Sequence, residues 1–233
     1  DKWQKDSSWG SYYVTTLHAP SPNNLKNAIT YSDNVYFARN ALNIGKDNLF
    51  KYYKNLKIGK KIPFELSLNR SQYINKNQKV SDQLIADSGY GQGQILMNPL
   101  QLASIYSAFV NNGSIYRPHL VEQGEQMWIQ RVFSDKTVKI IKEDLINVIA
   151  DEKGTGHAIY RDNVILAGKT GTAEIKQSQS DTTGTELGWF TVMTTDSKQP
   201  LLITTMVEDV KDRGGSGYVV EHTKTPLDLY LSK

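Results

Sequence analysis

A lysine, two threonines and a glycine lie together in residues 167–175, a stretch whose other residues favour a β-strand. Glycine inside a strand marks a bulge or a close approach by a ligand or another backbone. Lys169 supplies a positive charge, and Thr170 and Thr172 supply hydroxyl groups on either side of Gly171. A cation flanked by hydroxyls suits a bound carboxylate, so we predict that this strand forms one wall of a carboxylate site.

A second short motif, Ser32-Asp33-Asn34, lies between two runs of apolar residues at helical spacing. These residue types favour turns and helix caps that bond the backbone, which is the structural alternative for the motif. Lys169-Thr170-Gly171 follows later in the chain. In this order the two motifs are the second and third elements of the serine acyl-transfer set of penicillin-binding proteins and class A β-lactamases. Either motif alone is a weak indication, but the pair indicates acyl transfer.

The hydrophobic pattern predicts helices first, then a sheet, then a final helix. Apolar spacing indicates helices on both sides of Ser32, over 47–57, after Asn98-Pro99 and over 136–150, whereas residues 60–97 are less regular. Strand-like segments at 163–175, 187–195 and 200–208 have polar linkers, which favours an antiparallel meander. With a last helix over 218–231, the order is typical of an α+β fold, which we assign to a single domain over residues 1–233.

The composition argues against several functions. The 27 basic and 24 acidic residues give a net charge of +3 without basic runs, so we predict that the chain does not bind nucleic acid. The absence of cysteine excludes disulfides and thiolate metal sites within the chain. Its four histidines are scattered without ligand spacing, so no metal site is expected.

Over essentially its whole length the chain resembles the transpeptidase domain of a class B penicillin-binding protein. The segments that carry this resemblance are residues 25–45, Pro63-Phe64-Glu65-Leu66, the glycine-rich run 87–93, Asn98-Pro99, Asn111-Asn112-Gly113, residues 169–174 and Gly188-Trp189-Phe190. The start, Trp3-Gln4-Lys5-Asp6 with Trp9-Gly10, looks most like the low-affinity branch of that class, which is associated with β-lactam resistance.

The resemblance implies a penicillin-binding, transpeptidase-like fold with an antiparallel sheet flanked by helices. It implies a D,D-transpeptidase that cross-links peptidoglycan stem peptides through a serine acyl-enzyme and is acylated by β-lactam antibiotics. No cofactor is expected. Family members act at the extracellular face of the bacterial cytoplasmic membrane, held by an N-terminal membrane helix that is not in this chain.

The resemblance also implies roles for individual residues. Ser32 would relay protons to the leaving amine, and Asn34 would bind the substrate amide and help to place the catalytic lysine. Lys169 would supply positive charge near Ser32 and the substrate carboxylate. Thr170 and Thr172 would bond that carboxylate, and the Thr172 backbone N–H would form half of the oxyanion hole.

The remaining candidate site residues are less sharply defined. Gly171 belongs to the substrate-binding strand, and strand alternation puts Glu174 on the same face as Thr172. Tyr90 and Gln92 are candidates for lining the cleft, although a glycine-rich turn with incidental polar residues explains them equally well. For Glu174, a side chain that faces the cleft and one that does not are equally well supported.

The first element of the set, Ser-x-x-Lys, carries the nucleophile, and no serine of this chain has a lysine three positions later. In the family that element lies upstream of Ser32 on a buried helix, after two outer strands. We therefore expect this chain to be the C-terminal portion of the domain, without those strands and that helix. Its partner would be the segment that carries the nucleophile. Alone, it is predicted to be inactive, and insoluble or molten.

Three other functions are considered. A serine β-lactamase would agree with Glu65-Leu66-Ser67-Leu68-Asn69, which matches the Glu-x-x-Leu-Asn pattern of class A enzymes, but the preceding Pro63-Phe64 favours a structural role for Glu65. A β-lactam-sensing receptor domain is disfavoured by Ser32-Asp33-Asn34, since such sensors usually carry a different second motif. A catalytically dead binding module would suit the absent nucleophile.

Overall fold

The structure is a computed structural model that describes residues 1–122, 124–175, 181, 183–196 and 198–232. The strands are β1 (Lys2–Trp3), β2 (Val14–Thr15), β3 (Ile115–Tyr116), β4 (Met127–Ile129), β5 (Leu166–Ile175), β6 (Thr185–Thr194) and β7 (Leu202–Val207). The helices are α1 (Leu25–Tyr31), α2 (Asn34–Ile44), α3 (Lys46–Asn55), α4 (Asp82–Gly89), α5 (Pro99–Ser107), α6 (Asp135–Ala150) and α7 (Ser216–Leu231). Within the described ranges, no helix is both long and apolar enough to cross a membrane.

The chain divides into two compact units. The first unit comprises Asp1, residues 16–33 and residues 142–233. The second unit comprises residues 2–15 and 34–141. The first contains α1, the sheet of β5 to β7 and α7, and the second contains α2 to α5 with the short strand pairs β1–β2 and β3–β4.

The sheet of the first unit is antiparallel with the order β5-β6-β7, which confirms the predicted meander. Helix α7 packs on it around a core whose members are fully buried apolar side chains: Ile149, Ile159, Leu166, Phe190, Val192, Val210, Val219, Val220 and Leu227. Gly188 allows this close packing, because a Cβ there would lie 2.5 Å from Val219 Cγ2. The α+β fold and the helix-flanked sheet predicted from the sequence are therefore confirmed.

The second unit has its own core, formed by Trp9, Val14, Ala38 and Ala86. Helices α2 and α4 approach each other closely, since a Cβ at Gly89 would lie 2.5 Å from the Phe37 carbonyl oxygen. The sequence pattern did not predict α4. The helix begins after Ser81, whose side chain accepts from the Leu84 N–H, and it includes Gly89, which the sequence placed in a loop.

Candidate active site

Ser32 stands at the end of α1 in an uncommon backbone conformation. Asn24 begins the helix, with its side chain accepting from the Asn27 N–H at 2.9 Å. The helix ends where Ser32 adopts left-handed angles, φ 60° and ψ 55°, and the Asp33 N–H returns to the Ala28 carbonyl at 2.9 Å. Glycine is the usual residue in this position, because a side chain there costs about 1 kcal/mol. Ser32 is therefore the residue at which the chain leaves α1.

The Ser32 hydroxyl meets the lysine of β5. Lys169 Nζ donates to Ser32 Oγ at 2.9 Å and to the Thr170 carbonyl oxygen at 2.9 Å. Burial lowers the pKa of Lys169 to about 8, because the ammonium loses hydration and no carboxylate of the described residues pairs with it. An ammonium has three N–H donors, so the two contacts leave one for an incoming group.

The two threonines of β5 face different surroundings. Thr170 is buried, and its hydroxyl donates to Thr155 Oγ1 at 2.7 Å. Thr172 is exposed, and its hydroxyl oxygen accepts from the Ser216 N–H, the first residue of α7, at 3.2 Å. A helix N-terminus favours a negative charge nearby, so the surroundings of Thr172 suit an anion better than those of Thr170 do.

Gly171 lies between the two threonines and opposite Trp189 of β6. A Cβ at Gly171 would meet only Trp189 Cβ, at 3.6 Å, which is an ordinary contact. Packing within the described chain therefore does not require glycine here. The expectation from the sequence that a ligand or another backbone approaches Gly171 stays a prediction.

The loop at 151–156 adds a residue that sequence reasoning missed. Thr155 receives the Thr170 hydroxyl, and its backbone N–H donates to the Thr30 carbonyl of α1 at 3.3 Å. No functional residue was predicted in this segment from the sequence. The sequence signal that could have identified Thr155 is its position between Gly154 and Gly156, in the loop that follows a long predicted helix.

The other candidate residues lie elsewhere. Asn34 is the first residue of α2 in the second unit, and its Nδ2 donates to the Thr15 carbonyl at 3.0 Å. Glu174 is exposed near the end of β5 and pairs in register with Glu186. Glu65, the β-lactamase-like glutamate, accepts from the Leu120 N–H at 3.3 Å within the second unit.

Tyr90 and Gln92 gather around Asp87 in the second unit. The Tyr90 hydroxyl donates to Asp87 Oδ1 at 2.7 Å, Tyr12 donates to the same oxygen, and the Gln92 N–H donates to the Asp87 carbonyl at 3.0 Å. Burial raises the pKa of Asp87, and burial together with this carboxylate raises the pKa of Tyr12 and of Tyr90. The glycine-rich turn is thus attached to the end of α4 by its own polar contacts.

No group of three or more histidine, aspartate or glutamate side chains that could hold a metal ion occurs among the residues that the structure describes.

Of the predicted site residues, the first unit brings together Ser32, Lys169 and Thr170 directly, with Thr172 farther along the same strand. Asn34, Tyr90 and Gln92 belong to the second unit, and Glu174 lies toward the far end of β5.

The family model of the penicillin binding protein transpeptidase domain matches residues 1–225. The chain belongs to this family. It is 42% identical over 227 residues to penicillin-binding protein 3 of Bacillus subtilis (strain 168), covering 96% of the chain and 34% of the relative. It is 28% identical to the peptidoglycan D,D-transpeptidase MrdA of Haemophilus influenzae, covering 90% of the chain and 36% of that protein. The sequence-based assignment to the transpeptidase domain of a class B penicillin-binding protein is confirmed at this level.

Solved structures agree with the family on the fold. The TP domain of penicillin-binding protein 3 from Burkholderia pseudomallei matches with a TM-score of 0.76 and 18% identity, covering 93% of this chain and 68% of that one. PBPA from Mycobacterium tuberculosis matches with a TM-score of 0.74 and 18% identity, covering 90% and 50%. The chain spans about a third of the length of the curated relatives that it matches.

Proposed function

We propose that the chain supplies the carboxylate-holding part of a peptidoglycan D,D-transpeptidase that works through a serine acyl-enzyme. The observation that carries the proposal is the contact of Lys169 Nζ with Ser32 Oγ at 2.9 Å, which joins the two motifs predicted to act together. Its substrates are peptidoglycan stem peptides. β-Lactam antibiotics, which also present a carboxylate, acylate the same nucleophile.

Acyl transfer requires a proton to reach the leaving amine while negative charge develops on the carbonyl oxygen. In the proposed mechanism the Ser32 hydroxyl carries that proton, because it accepts from Lys169 and retains its own O–H to donate. Lys169, with a pKa lowered to about 8, is mainly charged at neutral pH and attracts the substrate carboxylate. The Thr172 backbone N–H supplies half of the oxyanion hole, and Asn34 binds the substrate amide.

The nucleophile is proposed to come from a Ser-x-x-Lys segment outside these 233 residues, since no serine in them has that spacing. The carbonyl carbon is attacked by that serine, the bond to the leaving amine breaks, and the acyl group stays on the serine until an acceptor amine takes it.

The proposed location is the extracellular face of the cytoplasmic membrane. The start of the chain, with Trp3 and Trp9, supports membership of the low-affinity branch associated with β-lactam resistance.

Labelling with a fluorescent penicillin, followed by intact-mass measurement, tests this proposal. We expect no adduct on residues 1–233 alone and a long-lived adduct on a longer protein that carries the Ser-x-x-Lys segment ahead of residue 1. In the longer protein, Lys169→Ala is expected to lower the labelling rate at least about 100-fold, the size expected for loss of a charged donor in acyl transfer. The matched control is Lys51→Ala, which removes an exposed lysine of α3 and should label normally.

Three results would contradict the proposal. Labelling of the 233-residue chain by itself would place the nucleophile inside it. Unchanged labelling of Lys169→Ala would remove the lysine from the mechanism. Rapid hydrolysis of the penicillin, in place of a persistent adduct, would favour the β-lactamase alternative.

A further inference from the structure

The loop that carries Thr155 is held firmly to the end of α6. The Gly156 N–H donates to the Val148 carbonyl at 3.0 Å, and the Gly154 N–H donates to the Asp151 carbonyl at 2.8 Å. A Cβ at Gly154 would lie 2.3 Å from the Val148 carbonyl oxygen, so this approach requires glycine. The backbone of Thr155 is therefore fixed from both sides.

From this position Thr155 reaches the end of α1. The last carbonyl groups of a helix have no partner within it. One of these, the Thr30 carbonyl, accepts from the Thr155 N–H at 3.3 Å. The same loop makes a second contact with α1, because the Tyr31 hydroxyl donates to Asp151 Oδ2 at 3.2 Å. The helix end that presents Ser32 is thus tied to the loop through two neighbouring residues.

The side chain of Thr155 reaches the strand of the site. Its hydroxyl oxygen accepts the hydroxyl proton of Thr170 at 2.7 Å, and the Thr170 carbonyl in turn accepts from Lys169 Nζ at 2.9 Å. Lys169 then closes a ring by donating to Ser32 at 2.9 Å. Starting from α1, the ring runs through Thr155, Thr170 and Lys169 and returns to Ser32.

We infer that Thr155 is a positioning residue for acyl transfer, which holds the Ser32–Lys169 pair in register by linking α1 to β5 through Thr170. This inference rests on the function proposed above and deepens it. A threonine hydroxyl has a single proton, and Thr170 gives its proton to Thr155. While that bond holds, Thr170 meets a carboxylate only as an acceptor, so the donors for the substrate carboxylate are found elsewhere, at Lys169 above all. This differs from the role that the resemblance implies for Thr170.

The test is a double-mutant cycle on the acylation rate by a fluorescent penicillin, in the longer protein that carries the Ser-x-x-Lys segment. Thr155→Val keeps the backbone donor and the side-chain shape but removes the hydroxyl. We expect it to slow acylation about tenfold, the effect of one lost hydrogen bond, and Thr155→Ser to restore the rate. Thr170→Val should cost the same, and the double variant should cost about tenfold, because the two residues act as one unit.

The matched control is Thr205→Val. Thr205 of β7 accepts a hydroxyl bond from Thr223 at 2.9 Å, as Thr155 does from Thr170, but it lies two strands away from Lys169. Its acylation rate should stay at the wild-type value. If Thr205→Val slowed acylation equally, the effect of Thr155→Val would be explained by a general loss of stability, which would contradict the positioning role. Additive losses in the double variant, or a much larger loss in Thr170→Val alone, would overturn the inference in favour of direct carboxylate binding by Thr170.

Amide hydrogen exchange separates a failure of this inference from a failure of the proposed function. The amides of Ser32 and Asp33 both bond the Ala28 carbonyl, so they report the integrity of the α1 end whether or not penicillin reacts. Several-fold faster exchange of these amides in Thr155→Val, with no change in Thr205→Val, supports the positioning role. Unchanged exchange contradicts it. Absence of wild-type labelling contradicts only the acyl-transfer function.

Discussion

At the scale of single residues, Ser32 has a hydroxyl that bonds Lys169 and a backbone conformation that is energetically unfavourable for serine. Its left-handed conformation is one that glycine adopts at little cost and other residues rarely adopt. The contact with Lys169 requires the hydroxyl, so the strain stays in the folded state. Strain of this kind is often found where a side chain serves a function.

Replacing Ser32 separates the two effects. We expect Ser32→Gly to have a free energy of unfolding about 1 kcal/mol higher than that of Ser32→Ala, because only glycine relieves the left-handed strain. Both variants lose the hydroxyl and should lose penicillin labelling alike. Urea unfolding of the longer protein measures the difference. Equal stability of the two variants would show that this backbone is not strained.

Lys169 makes stability depend on pH. Burial lowers its pKa from 10.5 to about 8, so between these values the unfolded state binds more protons than the folded state. The contribution of this group to the free energy of unfolding therefore rises with pH over that window and is constant below it. Lys169→Met removes the contribution. We expect the stability of the wild type relative to Lys169→Met to be higher near pH 10 than near pH 7. Urea unfolding at both pH values measures it, and a constant difference would contradict the lowered pKa.

At the scale of elements, glycine is present at two positions of neighbouring strands for different physical reasons. Gly188 on β6 is required by packing against Val219 of α7, whereas Gly171 on β5 has room for a methyl group. Gly188→Ala should lower the free energy of unfolding by about 1–3 kcal/mol through overpacking. Gly171→Ala should change it by no more than about 0.5 kcal/mol and should still slow penicillin labelling. Thermal unfolding and labelling of the two variants measure this, and a large stability loss in Gly171→Ala would contradict it.

The sequence predicted the elements that local pattern determines. The meander of β5 to β7 followed from alternating strands with polar linkers, and α1 and α2 followed from the punctuation at Ser32-Asp33-Asn34. Helix α4 was missed because it is short and its Gly89 is fixed by the approach of Phe37, a contact distant in the chain. Thr155 was missed for the same reason, since no local pattern predicts a bond between two hydroxyls on different elements.

At the scale of the whole molecule, the sheet has open edges in the described part of the chain. β7 pairs with β6 on one side only, and β5 likewise pairs only with β6. Unpaired strand edges present backbone donors and acceptors that promote association between chains.

The assignment of residues 1–233 to a single domain stays a prediction, since the contacts divide the chain into two compact units.

The isolated chain is therefore expected to behave poorly in solution. We predict that residues 1–233 alone aggregate or melt without cooperativity, because the proposed Ser-x-x-Lys segment would add buried apolar surface and the whole stability of a domain is only about 5–15 kcal/mol. The longer protein with the Ser-x-x-Lys segment should be soluble and melt cooperatively. Calorimetry of the two proteins makes the comparison. A cooperative transition of the 233-residue chain would contradict the prediction.

The cluster of Tyr12, Tyr90 and Asp87 gives the second unit an optical signal of its own. Burial and the shared carboxylate hold these two phenols protonated well above the ordinary range of tyrosine. In an alkaline titration followed by tyrosinate absorbance, the ionisation of this pair is therefore a late step. Because Tyr12 belongs to the N-terminal segment and Tyr90 follows α4, the late step disappears when the two segments separate. Ultraviolet spectroscopy can therefore report, without any added label, whether the start of the chain is docked on α4.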